Sequence, residues 1–310
     1  LKNQFFQWRY VNNEKILFKQ LRLGNVFSPS SYAPVPSLMG VQLNNSATNQ
    51  RVSFGTYLVS DFTKPGWVVE LYINDILVNY TKADASGLFT FEISLVYGNT
   101  NLRYKFYGPW GEEESIDKAI NIPYVFLPKK KFEYSFTAGK LQDSSKNMYS
   151  RASAGYGLTQ RITIGAGAEY NQSLQNNKLL PFANASVRVG NSIIYSAEYS
   201  PGLLFKSAIN IRIKNQVQLE AQLIKYNADQ QVLSTNSLLD KKITLSIPFK
   251  WKYIYGFSQL QYKESKFYKE QMRTAEWLIS AGTGRVNVSI THNAFFNNRS
   301  SEILSKLSFN

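Results

Sequence analysis

Strict two-residue alternation of apolar and polar side chains runs through most of this 310-residue chain and sharply limits how it can fold. In "QVQLEAQLIKY", Val217, Leu219, Ala221 and Leu223 fall on one face, and Gln216, Gln218, Glu220 and Gln222 fall on the other. In "RITIGAGAEY", Ile162, Ile164, Ala166, Ala168 and Tyr170 oppose Arg161, Thr163, Gly165, Gly167 and Glu169. A period of two marks a strand with unlike faces; an amphipathic helix repeats every 3.6 residues. Capping boxes followed by that longer period do not occur in the sequence. The chain reads as all-β, built from antiparallel strand pairs with short turns, the pairs separated by longer polar loops.

Such strands suit two folds. A soluble sandwich turns its apolar faces inward, and a membrane barrel turns them outward toward lipid. Three features favour the barrel. The runs reach about ten residues without proline, against a usual strand of about 5–6. The apolar face includes Ala166 and Ala168, which lipid tolerates and a packed core would leave underfilled. Tyr156, Tyr170, Tyr195, Tyr199, Tyr226, Trp251, Tyr253, Tyr255 and Trp277 gather near strand ends, as an aromatic girdle would. A membrane-crossing helix needs about 20 consecutive apolar residues. No apolar run approaches that length. The expectation is a transmembrane antiparallel β-barrel, partial in this chain, with a polar lumen. A passive outer-membrane porin or uptake barrel and a soluble two-domain β-sandwich adhesin remain competing readings.

One segment breaks the pattern. Residues 52–122 carry shorter runs, among them "WVVELYIND", "ILVNYTKAD" and "LFTFEIS", punctuated by the turns "NDIL" and "DASG". This suffices for a small sandwich with a core of Val69, Leu71, Ile73, Leu77, Phe89, Phe91 and Ile93. The chain has a net charge of +14, yet this segment holds five Lys/Arg against nine Asp/Glu. Three units follow: first barrel strands and a loop at 1–51, an inserted sandwich at 52–122, and barrel strands at 123–310. A basic lumen lined by Arg161, Arg188, Arg212 and Lys214 would attract an acidic stopper, weakly enough for salt to loosen it. Glu112, Glu113 and Glu114 in "GEEES" are the plug residues expected to meet those bases. The same motif also reads as a solvated loop tip.

The composition excludes much else. There is no cysteine, so disulfides, thiolate metal sites and cysteine nucleophiles are ruled out. The lone histidine, His292, alternates with apolar neighbours in "VSITHNAFF" and reads as a strand or loop residue. No nucleophile–base pair or metal-binding set stands out, so neither an enzyme nor a bound cofactor is expected. Of the basic residues only "PKKKFEY" clusters, which is too little for a nucleic-acid surface. The chain opens within the strand-like "FFQWRYV" and shows no secretory signal, which reads as a fragment or processed product.

Four stretches, in order, resemble the outer-membrane ushers of the chaperone–usher pilus pathway. "LRLGNVFSPSSYAPVPSLMGVQL" (21–43) is similar to the strand, loop and strand before the usher plug. "VVELYINDILVNYTKADASGLFTF" (68–91) resembles the plug hairpin, with Asn74-Asp75 at the turn and Gly87-Leu88-Phe89 as its second element. "IPYVFLPKKKFEYSFTAGK" (122–140) resembles the return into the barrel, and "SAGYGLTQRITIGAGAEYN" (153–171) the hairpin that follows. "YGPWGEEE" and "LPKKK" depart from the family pattern. The resemblance implies a plugged pore in the bacterial outer membrane, surrounded by outer-membrane lipid. It also implies that pilus subunits and their periplasmic chaperone are the partners, and that fibre assembly and translocation are the task.

Overall fold

The computed structural model describes residues 6–15, 18–28, 32, 35, 37–46, 52–73, 76–84, 87–96, 101–121, 126–174, 177–190, 192–213, 217–230, 232–233, 237–252, 254–282, 287–298 and 300–309. Its regular elements are all β-strands. One antiparallel sheet begins with β1 (Gln7–Val11), β2 (Gln20–Val26) and β3 (Leu38–Asn44). The chain then leaves this sheet through β4 (Val52–Phe62), β5 (Val68–Ile73), β6 (Ile76–Lys82), β7 (Leu88–Val96), β8 (Asn101–Tyr107) and β9 (Glu113–Asn121). It returns as β10 (Phe132–Leu141), β11 (Met148–Gly157), β12 (Ile162–Asn171), β13 (Leu179–Val189), β14 (Ile193–Ser200) and β15 (Leu204–Arg212). The sheet finishes with β16 (Gln218–Tyr226), β17 (Ser237–Trp251), β18 (Ile254–Phe267), β19 (Gln271–Gly282), β20 (Asn287–Phe296) and β21 (Ser301–Phe309).

β3 pairs directly with β10, Gln42 opposite Thr137, so the wall continues unbroken across the excursion. Among the described residues its fifteen strands run β1-β2-β3-β10 and then in chain order to β21, and β1 and β21 each pair on one side only. Gly24, Gly40 and Gly139 stand opposite one another on β2, β3 and β10. A Cβ on Gly40 would lie 2.0 Å from the Ala138 carbonyl oxygen and 2.5 Å from the Gly139 Cα. Only glycine permits so close a backbone approach, the usual device for a sharp bend in a barrel wall.

The faces of the wall are inverted relative to a soluble protein. Leu260 is 48% exposed and Trp277 47%, together with Trp8, Leu23, Met39, Phe136, Ile164, Phe205 and Ile290. Thr163, Glu169, Ser186, Arg188, Asn210, Gln218 and Ser280 on the opposite face are buried. The two-layer interior of a soluble sandwich would require the reverse. The wall is that of an antiparallel transmembrane β-barrel. The apolar belt has an edge: Lys241, Glu264 and Arg273 occupy one row across β17, β18 and β19 on the outer face. Lys241 Nζ lies 3.6 Å from Glu264 Oε2 there. Below that row, outward-facing Ile243, Leu245, Ile247, Phe249 and Trp251 carry the belt along β17. Tyr226 does not join the girdle: it packs on the inner face with Leu180, Leu203 and Leu204.

The insert folds the other way round. A two-stranded sheet, β4-β7, covers a four-stranded one, β6-β5-β8-β9. Between them lie Trp67, Val69, Leu71, Ile73, Ala83, Phe89, Phe91, Ile93, Tyr104 and Phe106. Phe89 packs edge-on against Tyr104 at 5.1 Å and against Phe91 at 5.7 Å between ring centroids. Leu77 does not belong to this core; it is 48% exposed. The pairing of β5 with β6 slips by one residue between Leu71 and Tyr72. Such a slip turns the following side chains to the other face. The Asn74-Asp75 turn lies outside the described residues.

Candidate functional site: the polar inner face and its insert

The inner face is a polar surface on a rigid frame. Cross-strand neighbours Arg151 and Glu169 form a buried ion pair. Tyr149 donates to Glu169 Oε2 at 3.2 Å, and the Arg151 guanidinium lies 4.5 Å from the centre of the Phe182 ring. Lys206 Nζ stands 3.7 Å from Glu198 Oε1 on the adjacent strand. Alternation puts each of these charges inward, and burial is tolerable because each has an opposite partner. Farther round the wall, Asn210, Glu220, Thr244, Gln261, Glu276 and Asn293 line up in one row from β15 to β20. Gln261 donates to Glu276 Oε2 at 3.2 Å. The row's amides, hydroxyls and carboxylates favour water over apolar cargo.

Loops close over one rim. Tyr32, from the segment between β2 and β3, reaches across to donate to Ser200 Oγ at 3.2 Å. Burial pushes its hydroxyl above the usual tyrosine range. Asn25 and Ser37 both donate to Gln142 Oε1, at 2.9 and 2.5 Å, which fixes the two ends of that segment to the next loop. The opposite rim carries the tight turn at 158–161, and the insert hangs from this rim.

The insert is seated on the inner face at that end. Its core is continuous with Phe126, Ile194 and Ala208, the last two belonging to the wall strands β14 and β15. The returning linker is fixed at the base: Leu127 N–H donates to Thr163 Oγ1 at 2.9 Å. Four strands beyond β15, Ser280 of β19 donates its hydroxyl to Asp84 Oδ2 at 2.9 Å. The insert therefore touches two separated parts of the wall, as a body inside a curved sheet must.

The expected site residues take different places. Arg188 is buried on the inner face; its Nη2 donates to Gln160 O at 3.1 Å, and its guanidinium lies 5.7 Å from the Phe126 ring centre. It holds the linker at the insert's base. Arg212 sits on the inner face in register with Gln218. Arg161 is exposed in the turn before β12, its backbone N–H bonded to Thr159 Oγ1, and so lies on the rim. Lys214 lies outside the described residues. Glu112, Glu113 and Glu114 are all exposed. Glu112 Oε2 accepts the Trp110 N–H at 3.1 Å, and Glu114 pairs with Lys64 inside the insert. The structure does not bring the three glutamates to Arg161, Arg188 or Arg212. Glu114 finds its base, Lys64, within the insert, which satisfies that charge locally. Among the described residues, insert and wall meet through Asp84 with Ser280 and through the Phe126 seam. "DASG" marks a turn in the sequence, but nothing in the sequence couples it to a serine 196 residues away.

Among the described residues there is no group of metal-binding side chains. His292 faces outward on β20 beside Trp277, its Nδ1 2.8 Å from Ser305 Oγ.

No family model matches the chain, and no curated protein sequence does. Solved structures do. The translocation pore of the P pilus usher PapC is 12% identical over 94% of this chain and 77% of its own, with a TM-score of 0.43. An E. coli P pilus tip assembly intermediate, PapC-PapD-PapK-PapG, is 12% identical over 94% of this chain and 48% of its own, with a TM-score of 0.42. Wzi of Escherichia coli, an outer-membrane carbohydrate-binding β-barrel involved in group 1 capsule assembly, is 8% identical over 90% and 79%, with a TM-score of 0.41.

Proposed function

We propose that this chain forms the wall and plug of a gated outer-membrane pore of the usher type. In this reading residues 52–121 block a water-lined channel, and pilus subunits delivered by a periplasmic chaperone pass through once the plug moves. One observation carries it: the apolar face of the wall is exposed while its polar face is buried and holds a folded acidic insert. An apolar exterior calls for lipid, and a polar interior calls for water. A compact body with a core largely of its own can leave the channel without unfolding by giving up its seam with Ile194 and Ala208. The short-turn rim, which bears the insert, would face the periplasm as tight turns do in bacterial barrels. The ordered resemblance at 21–43, 68–91, 122–140 and 153–171 supports the usher assignment.

The test is a chain lacking residues 52–121, compared with the intact chain in planar bilayers and in cells. A plugged pore gives low current when intact and a large stable current after deletion. An usher further binds a chaperone–subunit complex and supports fibres on the surface. Deletion without gain of current contradicts the plugged pore. Solute flux with neither complex binding nor fibres contradicts the usher assignment and leaves a passive porin.

A further inference from the structure

Asp84 and Gly87, the described residues nearest the tip of the β6–β7 connection, are tied into a rigid finger by backbone bonds. The Asp84 carbonyl accepts N–H bonds from Gly87 at 2.9 Å and from Gly66 at 3.4 Å. Gly87 has a φ of +83, and a Cβ there would lie 2.0 Å from the Thr63 carbonyl oxygen. Only glycine combines that backbone conformation with so close a contact. Thr63 N–H in turn donates to Gly87 O at 2.8 Å, and Ala83 N–H to Trp67 O at 2.8 Å. Trp67 and Ala83 are buried in the insert core directly beneath. The finger thus presents the Asp84 carboxylate at a position fixed by backbone bonds and by the core.

That carboxylate meets Ser280, which is 5% exposed on the inner face of β19. The apolar seam of the insert lies on β14 and β15. From β15 to β19 the distance along a sheet is roughly 19 Å at ordinary strand spacing. The bond and the seam therefore grip the insert from two separated stretches of wall, and the acidic tip at Glu112–Glu114 takes no part.

We propose that the Asp84–Ser280 hydrogen bond is the latch that holds the insert closed, an inference that rests on the plugged-pore reading. The seam alone would let the insert pivot; the bond across the bore fixes its orientation. A hydrogen bond to a charged group shifts a two-state equilibrium by about ten- to a hundred-fold, so its loss raises the open fraction without unfolding either body.

Ser280→Ala removes the donor from a strand whose backbone pairing is otherwise intact, and it is expected to raise the resting current of the intact chain roughly ten-fold. Ser280→Thr, which keeps a hydroxyl, is expected to stay near the wild-type current. Asp84→Ala with Ser280→Ala should match Asp84→Ala alone, because Ser280 acts only through that carboxylate. The chain has no cysteine, so Asp84→Cys with Ser280→Cys can be bridged cleanly by a short bis-methanethiosulfonate. Bridging is expected to hold the current at the closed level, and reduction to release it. Unchanged current in Ser280→Ala, or additive effects in the double variant, would overturn the latch while removal of 52–121 still opens the pore. If that removal opens nothing yet the cysteines bridge in high yield, the contact stands and the pore reading fails.

Discussion

Wall and insert are made from the same kind of strand with opposite rules for what faces out. In β18, Leu260 is exposed and its neighbours Gln259 and Gln261 face inward. In β5, Val69, Leu71 and Ile73 are buried and the alternate Glu70 and Tyr72 turn outward. Alternation is identical in both, so alternation states only that the faces differ. What distinguishes the regions is bulk and pairing of charge. In the insert core the Phe89 and Tyr104 ring centroids lie 5.1 Å apart, and those of Tyr104 and Phe106 lie 6.2 Å apart. Aromatic packing of that density belongs to a closed interior. The wall's inner face carries charges that must be paired, such as Arg151 with Glu169. Its outer face tolerates Ala166 beside Ile164 because lipid fills around them.

This contrast can be broken by substitution. The largest effect is expected from Phe91→Ala in the insert core, a loss of about 3–5 kcal/mol. Amide exchange over β5 and β8 should accelerate while β11 to β16 keep their protection; loss of protection in the wall would mean the insert is not an independent body. Leu260→Arg places a charge mid-strand on the outer face and is expected to cost about 2–4 kcal/mol in a bilayer. Refolding into lipid vesicles monitored by denaturant titration would show it, and a neutral result would place that face in water.

Tyr104 sharpens the account of the insert core. Its hydroxyl is buried with no hydrogen-bond partner among the described residues, and burial pushes its pKa above the usual tyrosine range. Removing an unsatisfied buried hydroxyl relieves a cost, so Tyr104→Phe should stabilise the insert by about 1 kcal/mol, read from the same exchange rates. A destabilised variant would reveal a partner for that hydroxyl. The smallest effect concerns Tyr72, whose hydroxyl donates to Glu70 Oε2 at 2.8 Å. Chiefly through this bond, its pKa is raised from 10.0 to about 12. The bond's contribution is complete below the ordinary tyrosine value and fades as pH rises through about 12. Ultraviolet titration of Glu70→Gln should show Tyr72, and with it Tyr107, moving back toward the ordinary tyrosine value, and no change would place Tyr72 away from Glu70.

The all-β class and the short-turn hairpins after residue 132 were legible because each is a local pattern. The inward placement of Arg188 and Arg212 followed from parity alone. Arg161 shares that parity but sits where the strand has already become a turn, and parity carries no information past a strand end. Leu77 was misplaced because a register slip in β5-β6 is invisible in the run "ILVNYTK". Tyr104 and Phe106 alternate correctly in "NLRYKFY", yet a tyrosine beside charged residues gives no local sign of full burial. The charge count pointed to an acidic plug in a basic wall, but Glu114 found Lys64 within its own domain. Net charge describes attraction at a distance, whereas the contacts seen among the described residues include an aspartate, a serine and an apolar seam, and these depend on tertiary placement.

The central claim is that the outer face of the wall meets lipid and the inner face meets water. Single cysteines placed in turn from Leu219 to Leu223 on β16 would test it in the membrane-embedded, otherwise cysteine-free chain, with the insert removed. Glu220→Cys and Gln222→Cys should react with a charged, membrane-impermeant maleimide, and Leu219→Cys, Ala221→Cys and Leu223→Cys only with a lipid-soluble one. The reverse alternation, or uniform reaction with the charged reagent, would contradict the claim.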